Sequence, residues 1–315
     1  MGKVAFLFPG QGSQKVGMGA DLIESEPSCR QVFELADQTL EFSLSAVMKE
    51  GPDEVLRRTE NTQPALVTMS LAVLELVKEA GVEPDYVAGH SLGEYSALAA
   101  AGAMSYETAL RSVRSRGLFM EEAVPFGEGS MAAVLGLDAN SLREIQTRVA
   151  ESGEVAELAN LNCPGQIVIS GTAKGVEMAG ALAKDAGAKR VLPLQVSGPF
   201  HSSLMKPAAE KLAALLHDQT IEDSSVPVIA NVSATETTDG EVIRQQLVEQ
   251  VYSSVRWEET INRLIDLGVD TFIEIGSGNV LTGLMRKINR NVSAFAVSDR
   301  ESVTEVVKKM KEGAE

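Results

Sequence analysis

Residues 86–103 read YVAGHSLGEYSALAAAGA, and this stretch decides the fold. Residues 86–90 predict a short buried strand, and residues 92–103, which are helix formers and small residues, predict a helix that can lie close to a sheet. Between them, residues 89–93 (GHSLG) match G-x-S-x-G, a sharp turn that exposes a serine at the end of a strand. Ser91 is therefore the candidate nucleophile, and an ordinary glycine-rich turn is the alternative.

The segments on either side of this stretch alternate between strand and helix patterns. Upstream, an apolar strand at 3–8 ends at Pro9-Gly10, and a helix is predicted at 63–80 with Pro64 in its first turn. This alternation predicts a mostly parallel sheet covered by helices on both faces. The elements predicted downstream are helices at about 106–122, 202–217, 240–251 and 257–267, strands within 226–232 and 271–275, and a final helix–strand–helix passage.

Residues 130–195 show a different order: strand, helix, strand, strand, helix, strand. The βαββαβ order is typical of a ferredoxin-like unit. Since the ends of such a unit lie close together, it can be inserted into a larger domain. The predicted division is an inserted ferredoxin-like subdomain at 127–196 and a large α/β domain formed by 1–126 and 197–315.

Charge and composition argue against several classes of protein. Lysine and arginine number 28 against 44 aspartate and glutamate residues, and the net charge of −16 has the wrong sign for binding nucleic acid or an acidic membrane surface. The two cysteines, Cys29 and Cys163, are far apart, and no His/Cys cluster has metal-ligand spacing. No apolar stretch is long enough for a signal segment or a membrane span, so we expect a cytoplasmic protein without a metal site.

A nucleophilic serine needs a base, and the chain offers only three histidines. His90 adjoins Ser91 and is expected to point elsewhere, and His217 falls within a predicted helix. His201 follows a predicted strand and precedes a helix, at the edge where the active sites of such sheets lie. His201 is therefore the candidate base, and a capping or core histidine is the alternative.

Two further features bear on the chemistry. The loop at 10–12 (GQG) is not a dinucleotide fingerprint because position 15 is lysine, but its backbone amides could bind an oxyanion together with the N–H of Leu92. A plain turn explains the loop as well.

Arg111, Arg114 and Arg116 lie close together in the sequence. Spacing alone favours a solvated face for each of them, although an arginine fork suits a substrate carboxylate.

These residues together resemble the malonyl-CoA:acyl carrier protein transacylases of fatty acid synthesis. Seven motifs occur in order across nearly the whole chain, which makes the resemblance highly specific. They are FPGQGSQ at 8–14, TQPAL at 62–66, GHSLGEYSAL at 89–98, RG at 116–117, NCPGQIVISG at 162–171, GPFHS at 198–202 and EIGSGNVL at 274–281.

The resemblance implies a hydrolase-like α/β domain with an inserted ferredoxin-like one, which agrees with the chain pattern. It implies that Ser91 is acylated, that His201 is its base and that Arg116 binds the malonyl carboxylate. The other roles it implies are an oxyanion hole from the backbone N–H groups of Gln11 and Leu92, a backbone carbonyl of Gln250 that orients the histidine, and Phe200 as a residue of the malonyl-type rather than the methylmalonyl-type pattern.

The resemblance also implies the substrates, malonyl-CoA and the phosphopantetheine thiol of an acyl carrier protein, and no cofactor. The carrier belongs to fatty acid or polyketide synthesis. Because carrier proteins of this family are acidic, we expect a local basic patch, with Lys189-Arg190 and Arg286-Lys287, near Arg290, as candidates. Their alternative is ordinary solvated charge.

One departure from the family pattern and two competing functions complete the prediction. Ser277 and Asn279 stand where the family usually has proline and lysine, which could loosen that turn or alter carrier contacts.

A serine esterase or thioesterase is the alternative enzyme, although those hydrolases place the histidine later in the chain. A non-catalytic carrier-binding module is the third possibility, against which an intact Ser91 and His201 argue.

Overall fold

A computed structural model describes residues 2–125 and 127–312. The strands are β1 Lys3–Phe8, β2 Tyr86–Gly89, β3 Gly129–Leu135, β4 Ala156–Cys163, β5 Gln166–Thr172, β6 Arg190–Pro193, β7 Val228–Ile229, β8 Glu236–Thr237, β9 Val269–Ile275 and β10 Ser293–Val297. The helices are α1 Ala20–Ser25, α2 Pro27–Leu40, α3 Leu44–Glu50, α4 Asp53–Leu56, α5 Thr59–Glu79, α6 Gly93–Ala100, α7 Tyr106–Glu122, α8 Ala139–Ala150, α9 Ala173–Asp185, α10 Lys206–His217, α11 Gly240–Gln250, α12 Trp257–Asp266, α13 Val280–Ile288 and α14 Arg300–Glu312, with a short 3-10 helix at Ser203–Met205.

The larger sheet has the strand order β10-β9-β1-β2-β7-β8, and only β8 is antiparallel to its neighbour. Strand β1 is buried on both faces because alternate residues enter different cores. Phe6 and Phe8 pack with helices α2, α5 and α7, whereas Leu7 packs with Trp257 of α12 and Leu284 of α13. The predicted fold, a mostly parallel sheet flanked by helices, is confirmed.

The second sheet is antiparallel, with the order β4-β5-β3-β6. Val134 on one face packs with Ile145 of α8 and Val176 of α9, whereas Met131 and Val168 on the other face join the core of the larger sheet. This order is the one a βαββαβ ferredoxin-like unit adopts. The division into 127–196 and the remainder stays a prediction, and its limits at residues 1, 126 and 313–315 lie outside the described residues.

Backbone hydrogen bonds at the edge of β4 join the second sheet to the segment between α11 and α12. The Leu161 N–H donates to the Val255 carbonyl over 2.9 Å, and the Val255 N–H donates to the Ala159 carbonyl over 2.8 Å. Residue 255 lies just after α11, so the second sheet is anchored beside the end of that helix. The helix end and the edge of the second sheet therefore approach the same region as the end of β2.

The first predicted helix is longer than expected, because α5 begins at Thr59 and places Pro64 at its sixth residue. Proline there removes the N–H that would bond to the Glu60 carbonyl. The side chain of Arg114 on α7 donates to that carbonyl over 2.7 Å and replaces the lost bond. Sequence analysis also did not predict α1 to α4 or strand β8.

Candidate active site

Ser91 lies at the sharp turn between β2 and α6, with its backbone at a φ of 52°. Both flanking glycines are needed at this turn. A Cβ on Gly89 would lie 2.0 Å from the backbone of Gly93, and one on Gly93 would lie 2.2 Å from the Phe8 carbonyl oxygen. A non-glycine residue at positive φ is uncommon and costs about 1 to 2 kcal/mol, so the surrounding contacts hold the serine in a strained position.

Asn231, just beyond β7, supplies two of these contacts. Its side-chain Oδ1 accepts from the Ser91 N–H over 2.7 Å, and its Nδ2 donates to the Gly89 carbonyl over 2.7 Å. The amide is fully buried. One side chain therefore fixes the backbone on both sides of His90, and sequence analysis did not identify it.

The structure brings Ser91 and His201 together, with 2.8 Å between Ser91 Oγ and His201 Nε2. The other ring nitrogen, Nδ1, lies 2.8 Å from the backbone carbonyl of Gln250 at the end of α11. Since a carbonyl can only accept, Nδ1 carries the proton and Nε2 faces the serine as an acceptor. His201 is 4% exposed, and its backbone also has a positive φ, 57°.

Burial and, second to it, the neighbouring Arg116 charge lower the pKa of His201 to about 3. The imidazole is therefore neutral at physiological pH, which is the state in which it can accept a proton from Ser91. Any group that offsets the Arg116 charge raises the pKa of His201 and makes it a stronger base.

Arg116 reaches the same place from α7 and is 1% exposed. Its Nη2 donates to Ser91 Oγ over 3.1 Å and to Gln250 Oε1 over 3.0 Å, and its Nη1 donates to Gln63 Oε1 over 2.8 Å. Its Nε has no hydrogen-bond partner among the described residues. The guanidinium lies over the Tyr95 ring, 5.9 Å from its centroid. A buried guanidinium with an unused N–H therefore lies beside the nucleophile, and a guanidinium is the group that binds a carboxylate most specifically.

The three neighbouring arginines of α7 differ in burial and in contacts, which their spacing in the sequence could not show. Arg111 is exposed, and Arg114 binds the Glu60 carbonyl and the side chain of Asn61. Only Arg116 points into the site, because it lies on the buried side of α7.

Leu92 and Gln11 both lie near Ser91, which is at the turn between β2 and α6. Leu92 is the residue before α6, so its N–H lies at the N-terminus of that helix. The loop of Gln11 lies against the elbow, since a Cβ on Gly10 would be 2.6 Å from the His90 carbonyl oxygen. Among the hydrogen bonds of residues 2–125 and 127–312, neither of these two N–H groups is used.

A cavity of about 320 Å³ opens over Ser91. Its polar lining includes Gln11, Arg116 and His201, and its apolar lining includes Phe200. The apolar lining also includes Met120, Met131, Leu194 and Val196. Leu194 follows strand β6 of the second sheet, so the cavity lies between the two sheets.

His90 does not pair with Ser91. Its Nε2 lies 2.8 Å from Asn162 Oδ1 of β4, and its ring is 5.4 Å from that of Trp257. Burial lowers the pKa of His90, so the ring is neutral. It joins the elbow to the second sheet as a packing residue.

Glu94, the second residue of α6, is the other polar residue that sequence analysis missed. It is 3% exposed, and its Oε2 accepts from Gln250 Nε2 over 2.7 Å and from the Asn231 N–H over 3.2 Å. Burial raises the pKa of Glu94 to about 7, although its hydrogen bonds and the Arg116 charge oppose the rise. The sequence signal that could have identified Glu94 is a carboxylate within segment 92–103, which otherwise consists mainly of small and apolar residues.

The candidate basic residues meet at one end of the second sheet. In register, Gln166 of β5 lies opposite Leu135 of β3, which lies opposite Arg190 of β6. Lys287 Nζ donates to Gln166 Oε1 over 2.8 Å. The four candidates Lys189, Arg190, Arg286 and Lys287, and Arg290, are all exposed.

The turn at 277–279, which differs from the family pattern, is hydrogen-bonded to the loop that contains Gln11. Ser277 Oγ donates to the Ser13 carbonyl over 2.8 Å, a bond that proline could not make. Asn279 precedes α13 without a side-chain cap. The hydroxyl therefore gives this turn a tether to the active-site loop.

The family model described as acyl transferase domain matches residues 5–314. The chain belongs to the acyl transferase family. It is 59% identical over 312 residues to the malonyl CoA-acyl carrier protein transacylase of Bacillus subtilis strain 168, covering 99% of this chain and 98% of that protein. The resemblance found in the motifs is confirmed.

Solved structures of acyl transferases agree with the fold. The acyl-carrier-protein-S-malonyltransferase of Bartonella henselae superposes with a TM-score of 0.95 at 47% identity, covering 98% of this chain and 99% of that one. A malonyl-transacylase solved in complex with its type II PKS acyl-carrier protein has a TM-score of 0.95 at 44% identity, covering 98% and 99%.

No three His, Cys, Asp or Glu side chains within residues 2–125 and 127–312 are grouped so that they could hold a metal ion. None of the helices in this part of the chain is long and apolar enough to cross a membrane.

Proposed function

We propose that this acyl transferase moves the malonyl group of malonyl-CoA to the phosphopantetheine thiol of an acyl carrier protein through a malonyl-Ser91 intermediate. The observation that carries the proposal is the 3.1 Å contact between Arg116 Nη2 and Ser91 Oγ. A buried cation at the nucleophile favours an acyl group that ends in a carboxylate. The names of the transacylases at 59% and 46% identity support the same substrates.

In the first half-reaction, Ser91 Oγ attacks the thioester carbonyl carbon and its proton passes to His201 Nε2. The N–H groups of Leu92 and Gln11 stabilise the oxyanion that forms. The carbon–sulfur bond then breaks, and the coenzyme A sulfur takes the proton from Nε2. The Gln250 carbonyl holds the imidazolium through Nδ1, so a Ser-His pair replaces a full triad.

Arg116 has two effects on this step. Its guanidinium binds the malonyl carboxylate, which places the thioester over Ser91. The bound carboxylate in turn offsets the positive charge that lowers the pKa of His201. A malonyl thioester therefore strengthens the base that activates the nucleophile, and an acetyl thioester does not.

In the second half-reaction, the carrier thiol gives its proton to His201 and attacks the malonyl ester carbonyl. Ser91 Oγ leaves and recovers the proton from Nε2, which returns the enzyme to its starting state. The cavity above Ser91 is lined by both polar and apolar side chains, and a thioester that fills it displaces water. This displacement of water favours transfer to a thiol over hydrolysis. Neither half-reaction uses a cofactor.

We propose that the carrier protein binds at the basic end of the second sheet. Alternate residues of β6 share a face, so Arg190 lies on the same side as Leu192 and, beyond the strand, Leu194 at the cavity. Four residues at 3.3 Å each give about 13 Å from Leu194 to Arg190. An acidic carrier bound there could extend its thiol along this row into the cavity.

Separate assays of the two half-reactions test this function. The wild-type chain is mixed with malonyl-CoA and either the holo carrier protein, which bears the thiol, or the apo carrier protein, which does not. We expect malonyl-carrier to form only with the holo form. Release of free malonate at the same rate with both forms would identify a thioesterase, and no release of coenzyme A would identify a binding module.

A further inference from the structure

The carboxylate nearest to Arg116 in its hydrogen-bond network is Glu94, which is separated from it by the side chain of Gln250. No carboxylate among the described residues is within salt-bridge distance of Arg116. Instead Arg116 Nη2 donates to Gln250 Oε1, and Gln250 Nε2 donates to Glu94 Oε2 over 2.7 Å. One amide therefore separates a buried cation from a buried anion.

The same amide connects Glu94 to the rest of the site. Gln250 Nε2 also donates to the Ser91 carbonyl over 3.0 Å, and the Gln250 backbone carbonyl lies 2.8 Å from His201 Nδ1. The Asn231 N–H donates to Glu94 Oε2, and the Asn231 side chain holds the Ser91 N–H. The Glu94 carboxylate thus contacts Gln250 and Asn231, which position the nucleophile and the base, and forms no hydrogen bond with the side chain of Ser91 or His201.

A carboxylate in direct contact with Arg116 would occupy the guanidinium edge that a substrate needs. A guanidinium buried with no anion nearby would be costly and would oppose formation of the His201 imidazolium. The observed separation avoids both problems. The Glu94 charge is close enough to favour the charged form of Arg116, and the Nε N–H of Arg116 keeps no partner among the described residues.

We propose that Glu94 is a positioning residue that sets, through Gln250, how strongly Arg116 holds the carboxylate of the acyl group and how basic His201 is. The inference rests on the proposed function, because it assigns Glu94 to the same site. It goes further in naming the residue that tunes the preference for a carboxylated acyl group over a neutral one.

Glu94→Gln is the matched test, because a glutamine oxygen can still accept from Gln250 and Asn231 while the charge is lost. Removing the charge strengthens the hold of Arg116 on malonyl and weakens His201 for both substrates. We therefore expect KM for malonyl-CoA and kcat both to fall. The ratio of kcat/KM for malonyl-CoA to that for acetyl-CoA should rise about three- to tenfold, measured at pH 8 where the wild-type carboxylate is charged.

A second variant exchanges the two groups, Glu94→Gln with Gln250→Glu, and keeps the total charge. It places the carboxylate directly against Arg116, so the malonyl-to-acetyl ratio should fall by at least about tenfold. Glu274→Gln is the control, since Glu274 is equally buried but accepts hydrogen bonds from residues 281 and 282 instead. It should leave the ratio unchanged. In an Arg116→Ala background, Glu94→Gln should no longer raise the ratio.

The outcomes separate the two proposals. A wild-type chain that takes up no malonyl at Ser91 overturns the proposed function and this inference together. A wild-type chain that does, combined with an unchanged or lower ratio in a folded Glu94→Gln variant, overturns the inference alone. A rise that persists without Arg116 also overturns it, as does a group exchange that leaves the preference intact.

Discussion

Replacing Arg116 with alanine should remove the preference for malonyl-CoA while sparing the chemistry at Ser91. Arg116 is the cation that touches the nucleophile, and its Nη2 and Nη1 also hold Gln250 and Gln63. Loss of one partner of a buried charge pair costs about 2 to 5 kcal/mol. At about 1.36 kcal/mol per factor of ten, kcat/KM for malonyl-CoA should fall about 30-fold to several thousand-fold.

Acetyl-CoA has no carboxylate to lose, so its transfer should stay the same or improve. It can improve because the Arg116 charge lowers the pKa of His201, and the variant lacks that charge. The assay measures kcat/KM for both thioesters with the same holo carrier protein. Thermal unfolding is measured in parallel, since the buried amide oxygens of Gln63 and Gln250 each lose a donor.

Arg114→Ala is the matched control. Arg114 lies two residues away on α7 and is also partly buried, but it binds the start of α5 rather than the cavity. Its replacement should affect stability and leave the malonyl-to-acetyl ratio at the wild-type value. An equal loss on both thioesters in Arg116→Ala would refute the carboxylate-binding role, and so would a change of the ratio in Arg114→Ala.

Three further predictions follow from the same geometry. His201→Ala should reduce kcat/KM at least tenfold, a loss above about 1.4 kcal/mol, and a variant that keeps more than a tenth would show that another group is the base. Burial holds the pKa of Glu94 near 7, above the ordinary carboxyl value, so folding favours its protonated form and the wild-type protein loses stability as the pH rises from about 4.5 to 7. The Glu94→Gln variant lacks this loss, so the difference between its free energy of unfolding and that of the wild type should rise by about 3 kcal/mol between pH 4 and pH 8. Denaturant titrations that show the same pH dependence for both proteins would contradict this. Reversing Lys189 and Arg190 to glutamate should slow the carrier half-reaction and weaken its salt dependence while malonylation by malonyl-CoA stays near normal; if stopped-flow rates and salt slopes do not change, the carrier binds elsewhere.

Local patterns were sufficient for the nucleophile and for the parallel strands of the larger sheet. Ser91 could be predicted because its turn has no room for side chains, so the glycines at 89 and 93 are required by contacts within a few residues. His201 could be predicted because only three histidines compete and one of them lies between a strand and a helix. In both cases the sequence neighbourhood itself contains the constraint.

The remaining site residues depend on contacts between distant segments. Gln250 acts on His201 through a backbone carbonyl, which leaves no trace in residue type. Arg116 is separated from Arg114 only by which side of α7 is buried, and that depends on α5. The early start of α5 has the same cause, because an arginine from α7 replaces the bond that Pro64 removes.

The most direct test of the account is the mass of the protein after incubation with malonyl-CoA in the absence of a carrier protein. Intact mass spectrometry, followed by peptide mapping, should show a single added malonyl group on the peptide that contains Ser91. Ser91→Ala, treated in the same way, should show none. An adduct on another residue, an adduct that persists in Ser91→Ala, or release of coenzyme A with no adduct on the wild-type chain would contradict the malonyl-serine mechanism.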